Sequence, residues 1–259
     1  TIFHLAALIG IPYSYLAPSS YLDTNVVGTL NVLEAARRSS TQRVIVASTS
    51  EVYGTARYVP IDESHPRQAQ SPYSASKISA DAIALSYYHS FGLPVTVARP
   101  FNTYGPRQSL RAVIPTIILQ LLRGERRLRL GNLAATRDFN FVTDTVKALV
   151  EAADAPELLG REVNISSGKE ISVFDLTERV ASVMGIENET LTIEQEESRL
   201  RPDASEVERL CGDSMLMRTI TGWEPKVGLS EGLTRTIEWL RDEEGDGLQM
   251  YPQSSTYVV

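Results

Sequence analysis

The sequence predicts an α/β fold built on a doubly wound parallel sheet. Three observations carry that prediction. Short apolar runs alternate with helical stretches along the chain, the βαβα order of parallel sheets. Runs such as Val44-Ile45-Val46 are apolar at consecutive positions rather than at every second one, as in strands covered on both faces. Polar groups follow directly where that run ends, and the carboxyl ends of strands are where open α/β sheets bind ligands.

The elements follow in order. A strand is expected at 2–6, then a helix at 20–38, where Val26, Leu30, Leu33 and Ala36 recur at helical spacing and mark the face toward a sheet. Arg43 to Ala47 reads as a buried strand, and a helix at 72–91 starts with Ser71 as cap and Pro72 in its first position. A strand at 94–98 and a helix near 113–123 come next. Later strands are expected around 128–130 and 163–165, with helices at 143–153, 173–184 and 230–240. There is no internal repeat. From Arg241 to Val259 periodicity is lost, which predicts a disordered tail or one that docks on a partner.

Composition narrows the functional classes. A chain of 259 residues can bury a sizeable core. Its net charge of -7 argues against general nucleic-acid binding, which relies on basic surface. The run from Arg123 to Arg129 is the one basic patch, and it reads as a solvated helix end. A single cysteine, Cys211, rules out an internal disulfide and suits a reducing compartment, hence a cytoplasmic location. The three histidines (His4, His65 and His89) stand far apart, so no metal site is expected. No apolar run approaches the ~20 residues of a membrane span, so no membrane contact is expected either.

The chemistry gathers in two segments. Ser48-Thr49-Ser50-Glu51-Val52-Tyr53-Gly54 follows the strand at 43–47, and Tyr73-Ser74-Ala75-Ser76-Lys77 opens the next helix. Tyr73 and Lys77 lie four apart and share a helix face. A lysine beside a tyrosine favours the phenolate, lowering a pKa that is otherwise about 10, which makes Tyr73 a candidate base toward a substrate hydroxyl. Glu51 supplies a carboxylate and Thr49 a hydroxyl at the same strand end.

These residues resemble the active site of the extended short-chain dehydrogenase/reductases that act on nucleotide sugars. Further segments match that family: Phe3 to Ala7, Asp23 to Thr29, Arg99 to Arg107, Arg137-Asp138-Phe139, and Arg201-Pro202-Asp203 through Gly222-Trp223-Glu224-Pro225. The resemblance covers about residues 1 to 240 and implies a Rossmann-like sheet with an interleaved, smaller substrate-binding domain. Residues 1–102 are then expected to hold the cofactor and the catalytic groups. Residues 103–240 would supply substrate-binding pieces, with sheet elements returning near 138–166, and 241–259 would form a tail. Family members open with a Gly-x-x-Gly-x-x-Gly turn that none of the 16 glycines forms, so the N-terminal strands are expected to be missing from a longer protein.

The resemblance implies NAD as cofactor and a nucleoside-diphosphate sugar as substrate. Leu5, Ala6, Ala7, Ser48, Tyr73, Lys77 and Pro100 would hold the cofactor. Thr49, Ser50, Glu51, Tyr73 and Lys77 would be catalytic. Asn102, Arg137 and Arg201 would contact the substrate, since an arginine fork suits a diphosphate. Ion pairing of Arg137 with Asp138 or Asp144 is the alternative. Asn25 is expected to fix a turn or strand backbone, His4 to be a satisfied core residue and Trp223 to pack. A homodimer through the helices at 20–38 and 72–91, in a four-helix contact, is also implied.

The implied reaction is 4,6-dehydration to a 4-keto-6-deoxy sugar, with Glu51 as base at carbon 5. Ser50 stands where thymidine-diphosphate-glucose dehydratases carry an aspartate, and Thr-Ser-Glu resembles the guanosine-diphosphate-mannose dehydratases instead. The stretches Ser109 to Pro115 and Arg201 to Leu210 look most like N-acetylhexosamine nucleotide dehydratases of legionaminic-acid-type pathways. Decarboxylation of a nucleotide glucuronic acid and 4-epimerisation stay open as rivals, as does a non-catalytic nucleotide-sugar-binding homologue.

Overall fold

The computed structural model describes residues 1–246. In chain order its elements are β1 (Ile2–His4), α1 (Ile11–Leu16), α2 (Pro18–Tyr21), α3 (Gly28–Arg38), β2 (Val44–Ala47) and α4 (Pro72–Phe91). Next come β3 (Val95–Pro100), β4 (Asn102–Tyr104), α5 (Val113–Leu122), β5 (Arg127–Leu130), β6 (Thr136–Phe141) and α6 (Val142–Asp154). The chain continues through β7 (Glu162–Ile165), β8 (Glu170–Ser172), α7 (Val173–Val183), β9 (Thr192–Gln195), α8 (Met215–Thr221) and α9 (Leu229–Asp246).

Strands β1, β2, β3 and β7 form one sheet in that order, all parallel. Side chains along β2 alternate between two cores, as the pleat requires. Val44 and Val46 pack with Leu33 and Ala36 of α3 and Ala84 and Tyr87 of α4. Ile45 faces the other way, toward Ala148 and Leu149 of α6 and Met217 and Trp223 around α8. Helices thus cover both faces, and Val44, Ile45 and Val46 are all apolar because each faces a core. A third core joins α5, α7 and α9 to β5 and β6 through Ile117, Leu128, Phe139, Val180 and Leu233. Strand β6 lies between β4, parallel to it, and β8, antiparallel, and β5 pairs with β9.

The helix expected at 20–38 differs in an informative way. It starts at Pro18 and passes through a π turn, Leu22–Val27, before α3. Its buried positions are Tyr21, Asn25, Thr29, Leu33 and Ala36, so the first four recur every fourth residue. A wider π turn keeps such positions on one face, where a regular α-helix would drift. Leu30, expected on the core side, is exposed instead. Two polar residues on the inward face hid it: Thr29 bonds the Nε2 of buried His4 at 3.0 Å, and Asn25 clamps the backbone of Leu8, at 2.8 Å to its N–H and 2.9 Å from its carbonyl.

Other boundaries also move. Strand β1 ends at His4, and Leu5 and Ala6 are exposed beyond it. The tail expected at 241–259 begins instead as the continuation of α9 to Asp246, and its remainder, 247–259, lies outside the described residues. The short elements α1, β4, β8, β9 and α8 are not among those expected, whereas β6 falls where sheet elements are expected to return. The basic run is partly neutralised, with Arg127 bonding Glu194 across β5 and β9 at 2.7 Å. No described helix is long and apolar enough to cross a membrane.

Candidate active site

Beyond β2 the chain turns sharply. Thr49 is extended (φ -162, ψ 154) and its hydroxyl accepts the backbone N–H of Glu51 at 3.2 Å, capping the 3-10 turn Ser50–Tyr53. Ser50, Glu51, Val52 and Tyr53 are all buried. Gly54 ends the turn at φ 64, ψ -158, a region glycine alone occupies with ease. A Cβ there would lie 2.7 Å from the Gln68 carbonyl.

Helix α4 delivers the second segment. Ser71 accepts the Ser74 N–H at 3.1 Å and the Ser74 hydroxyl accepts from the Ser71 N–H at 3.0 Å, with Pro72 in the first turn. This cap fixes where Tyr73 enters the site. Tyr73 is buried and packs edge-on against Tyr21, ring centroids 6.2 Å apart. Lys77 is buried too, and its Nζ donates to the Ala47 carbonyl at 2.6 Å.

The electrostatics correct one expectation. Burial pushes the Tyr73 phenol above its ordinary value, the hydrogen bond with Thr49 pulls it down, and the charges of Glu51 and Asp81 push it up. Burial also lowers the Lys77 ammonium, which Asp81 partly offsets. The lowering of Tyr73 expected from Lys77 is therefore outweighed: with Nζ committed to the Ala47 carbonyl, desolvation decides.

Two arginines close the opposite side. Arg201 Nη1 lies 3.7 Å from Glu51 and 4.0 Å from Glu206, and Arg137 Nη2 lies 3.4 Å from the same Glu206 oxygen. Burial works against the charge of Arg137, and Glu51 and Glu206 offset it. Neither Asp138 nor Asp144 pairs with Arg137. Asp138 accepts the N–H groups of Ser167, Gly168 and Gly212, and Asp144 those of Lys226 and Val227. Trp223 is buried and donates its indole N–H to the Asp144 carbonyl. Glu206 is the residue that sequence reasoning missed, although it stands inside the Arg201-to-Leu210 stretch.

The remaining candidates lie at neighbouring strand ends. Leu5, Ala6 and Ala7 follow β1, Ser48 follows β2, Pro100 ends β3 and Asn102 opens β4. The buried Ser48 hydroxyl and the Asn102 Oδ1 have no hydrogen-bond partner within the protein. Buried polar atoms of that kind call for one. Residues 5–7, Ser48 and Pro100 thus stand at the carboxyl ends of the parallel strands β1, β2 and β3, where open α/β sheets bind ligands. Among the described residues no group of three or more His, Cys, Asp or Glu side chains is placed to hold a metal ion.

The family model for GDP-mannose 4,6 dehydratase matches residues 1–236. The chain belongs to this family. Other members are similar over most of its length. A dTDP-glucose 4,6-dehydratase of Streptomyces griseus is 35% identical over 92% of this chain and 70% of that protein. A putative UDP-glucose 4-epimerase of Methanocaldococcus jannaschii is 31% identical over 93% and 77%. Among solved structures, the dTDP-glucose 4,6-dehydratase DesIV of Streptomyces venezuelae, with NAD bound, superposes with a TM-score of 0.84 at 29% identity, covering 94% of this chain and 73% of that one. The family is that of nucleotide-sugar dehydratases and epimerases, and its members share the parallel-sheet fold described above.

Proposed function

We propose that the protein is an NAD-dependent nucleotide-sugar 4,6-dehydratase acting on a nucleoside-diphosphate hexose or N-acetylglucosamine. The observation that carries this reading is Glu51: a buried carboxylate whose charge acts on Tyr73 and which pairs with Arg201. An epimerase needs no such base.

Ser48, Tyr73, Lys77, Pro100 and residues 5–7 would hold NAD, which supplies a hydride acceptor at carbon 4 and the hydride donor at carbon 6. Tyr73 takes the proton of the carbon 4 hydroxyl, and Thr49 orients that hydroxyl. The 4-ketone acidifies carbon 5, whose proton Glu51 removes, a role typically worth ~10²–10⁴-fold in rate. Position 50 is a serine without a carboxyl, so Glu51 delivers that proton to the departing carbon 6 hydroxyl, which leaves as water. As hydride returns to carbon 6, Glu51 passes a solvent proton to carbon 5 and Tyr73 releases to solvent the proton it took. Asn102, Arg137 and Arg201 hold the diphosphate, with residues 1–102 serving the cofactor and 103–240 the sugar nucleotide.

Incubation with NAD and a panel of nucleotide sugars, followed by mass spectrometry, tests the reading. Loss of one water from a hexose or N-acetylhexosamine nucleotide is expected. Loss of carbon dioxide from a nucleotide glucuronic acid would make it a decarboxylase, and an isomeric product an epimerase. Glu51→Gln is expected to stop at the 4-keto sugar, and Tyr73→Phe to stop before oxidation. Turnover of Glu51→Gln at the parent rate would sink the mechanism.

The same reading makes the protein a cytoplasmic homodimer. Leu22, Val27, Leu30 and Phe91 are exposed on the two helices expected to pair. Sedimentation at micromolar concentration should give twice the mass of the chain, and a monomer would count against it.

A further inference from the structure

Arg99 takes no part in the chemistry above, yet it is fully buried one residue before Pro100. An unpaired guanidinium there would be costly, and this one is held on every side. Its Nε and Nη2 donate to Asp81 Oδ2 at 3.1 and 3.0 Å, and its Nη1 to the Tyr53 hydroxyl at 3.1 Å. Its Nη2 also pairs with Glu162 at 2.5 Å. These partners belong to α4, to the turn that carries Glu51, and to β7. Asp81 stands one helical turn beyond Lys77, on the same face. Its second oxygen, Oδ1, is buried and accepts no hydrogen bond. Lys77 reaches the carbonyl of Ala47, the register partner of Ala98 beside Arg99.

We propose that Asp81, held by Arg99 one helical turn beyond Lys77 on the same face, is a positioning residue that acts on the buried ammonium through its charge, while Arg99 locks the Tyr73–Lys77 helix to the Glu51 turn. The kinetic side rests on the function proposed above, whereas the electrostatic side does not. Burial lowers Lys77 and Asp81 opposes it. The other titratable groups around this pair are His4 on β1, which feels Lys77, Tyr73 on the same helix, Glu51 on the turn, and Glu162 with Arg67 behind Arg99. Asp81 bonds to none of the groups assigned to the reaction; its charge favours the Lys77 ammonium, and its bonds to Arg99 hold α4 to the neighbouring elements.

The chain has four lysines, Lys77, Lys147, Lys169 and Lys226, so NMR of protein labelled with 13C at the lysine ε-carbon resolves each, and Lys77→Met assigns the signal. In Asp81→Asn, Glu162 still neutralises Arg99, and Lys77 is expected to titrate at lower pH than in the parent while the other three stay put. With the substrate found for the parent, kcat is expected to fall about 100-fold with KM nearly unchanged. An unmoved Lys77 titration in folded Asp81→Asn overturns the proposal. Should that variant not fold, Asp81→Leu with Arg99→Met removes both charges together and leaves Glu162 with Arg67. That double variant is expected to fold with a low Lys77 titration and depressed kcat. Parent values of both would reduce the pair to a packing role. If the parent transforms no nucleotide sugar, the proposed function fails while the lysine titration still decides this proposal.

Discussion

At the scale of single residues, the site works by opposing pulls on one phenol. The hydrogen bond with Thr49 lowers the Tyr73 pKa against a dominant rise from burial, and the charge of Glu51 adds to that rise. The signs give two opposite expectations for the acid limb of the oxidation step, which reports deprotonation of the base. Thr49→Val removes the downward pull, so the limb moves to higher pH. Glu51→Gln removes a negative charge, so it moves to lower pH. Single-turnover absorbance of the reduced cofactor against pH reads both, and shifts of the same sign would refute the assignment.

At the scale of elements, the two segments proposed to be catalytic are held by local devices. The Ser71–Ser74 capping box sets the start of α4, and Ser71→Ala is expected to cost about 1 kcal/mol by thermal or denaturant unfolding. Gly54 carries more. Its backbone conformation and the close Gln68 carbonyl leave no room for a Cβ, so Gly54→Ala is expected to cost at least ~1–3 kcal/mol. It should also displace Glu51, three residues earlier on the same turn. A variant that loses stability but keeps full turnover would show that the turn tolerates the shift. The π turn belongs to this scale too. It puts Asn25 where it pins the backbone of Leu8 beyond β1 and donates to the Ser76 hydroxyl at 3.0 Å, joining this helix to α4.

At the scale of the molecule, buried charge ties the parts together. Arg99 joins α4, the Glu51 turn and β7 across the middle of the sheet. Removing one partner of such a pair leaves an uncompensated charge in the core, so Arg99→Ala alone is expected to lose about 3–5 kcal/mol of unfolding free energy. The double change Asp81→Leu with Arg99→Met should recover much of that loss, because apolar residues of similar volume do not need pairing. Chemical denaturation of the three proteins measures it, and equal losses in the single and double variants would contradict the argument.

The sequence by itself determined the parallel sheet, the α4 boundaries and the residue types of the site. Those signals are local: uniformly apolar strands, a serine cap before a proline, and hydroxyl, carboxylate and phenol groups at a strand end. The strand at 163–165 was legible in the sequence, but its place beside β3, the short β4, β8 and β9, and the π turn, whose spacing misleads, were shown only by the tertiary structure. It also decided the electrostatics. Whether Lys77 lowers Tyr73 depends on how deeply both are buried and on which carbonyl the ammonium reaches. Whether Arg137 pairs with Asp138 depends on three backbone N–H groups that claim that carboxylate first. Spacing along a chain states which groups can meet, and packing in three dimensions sets what each one costs to charge.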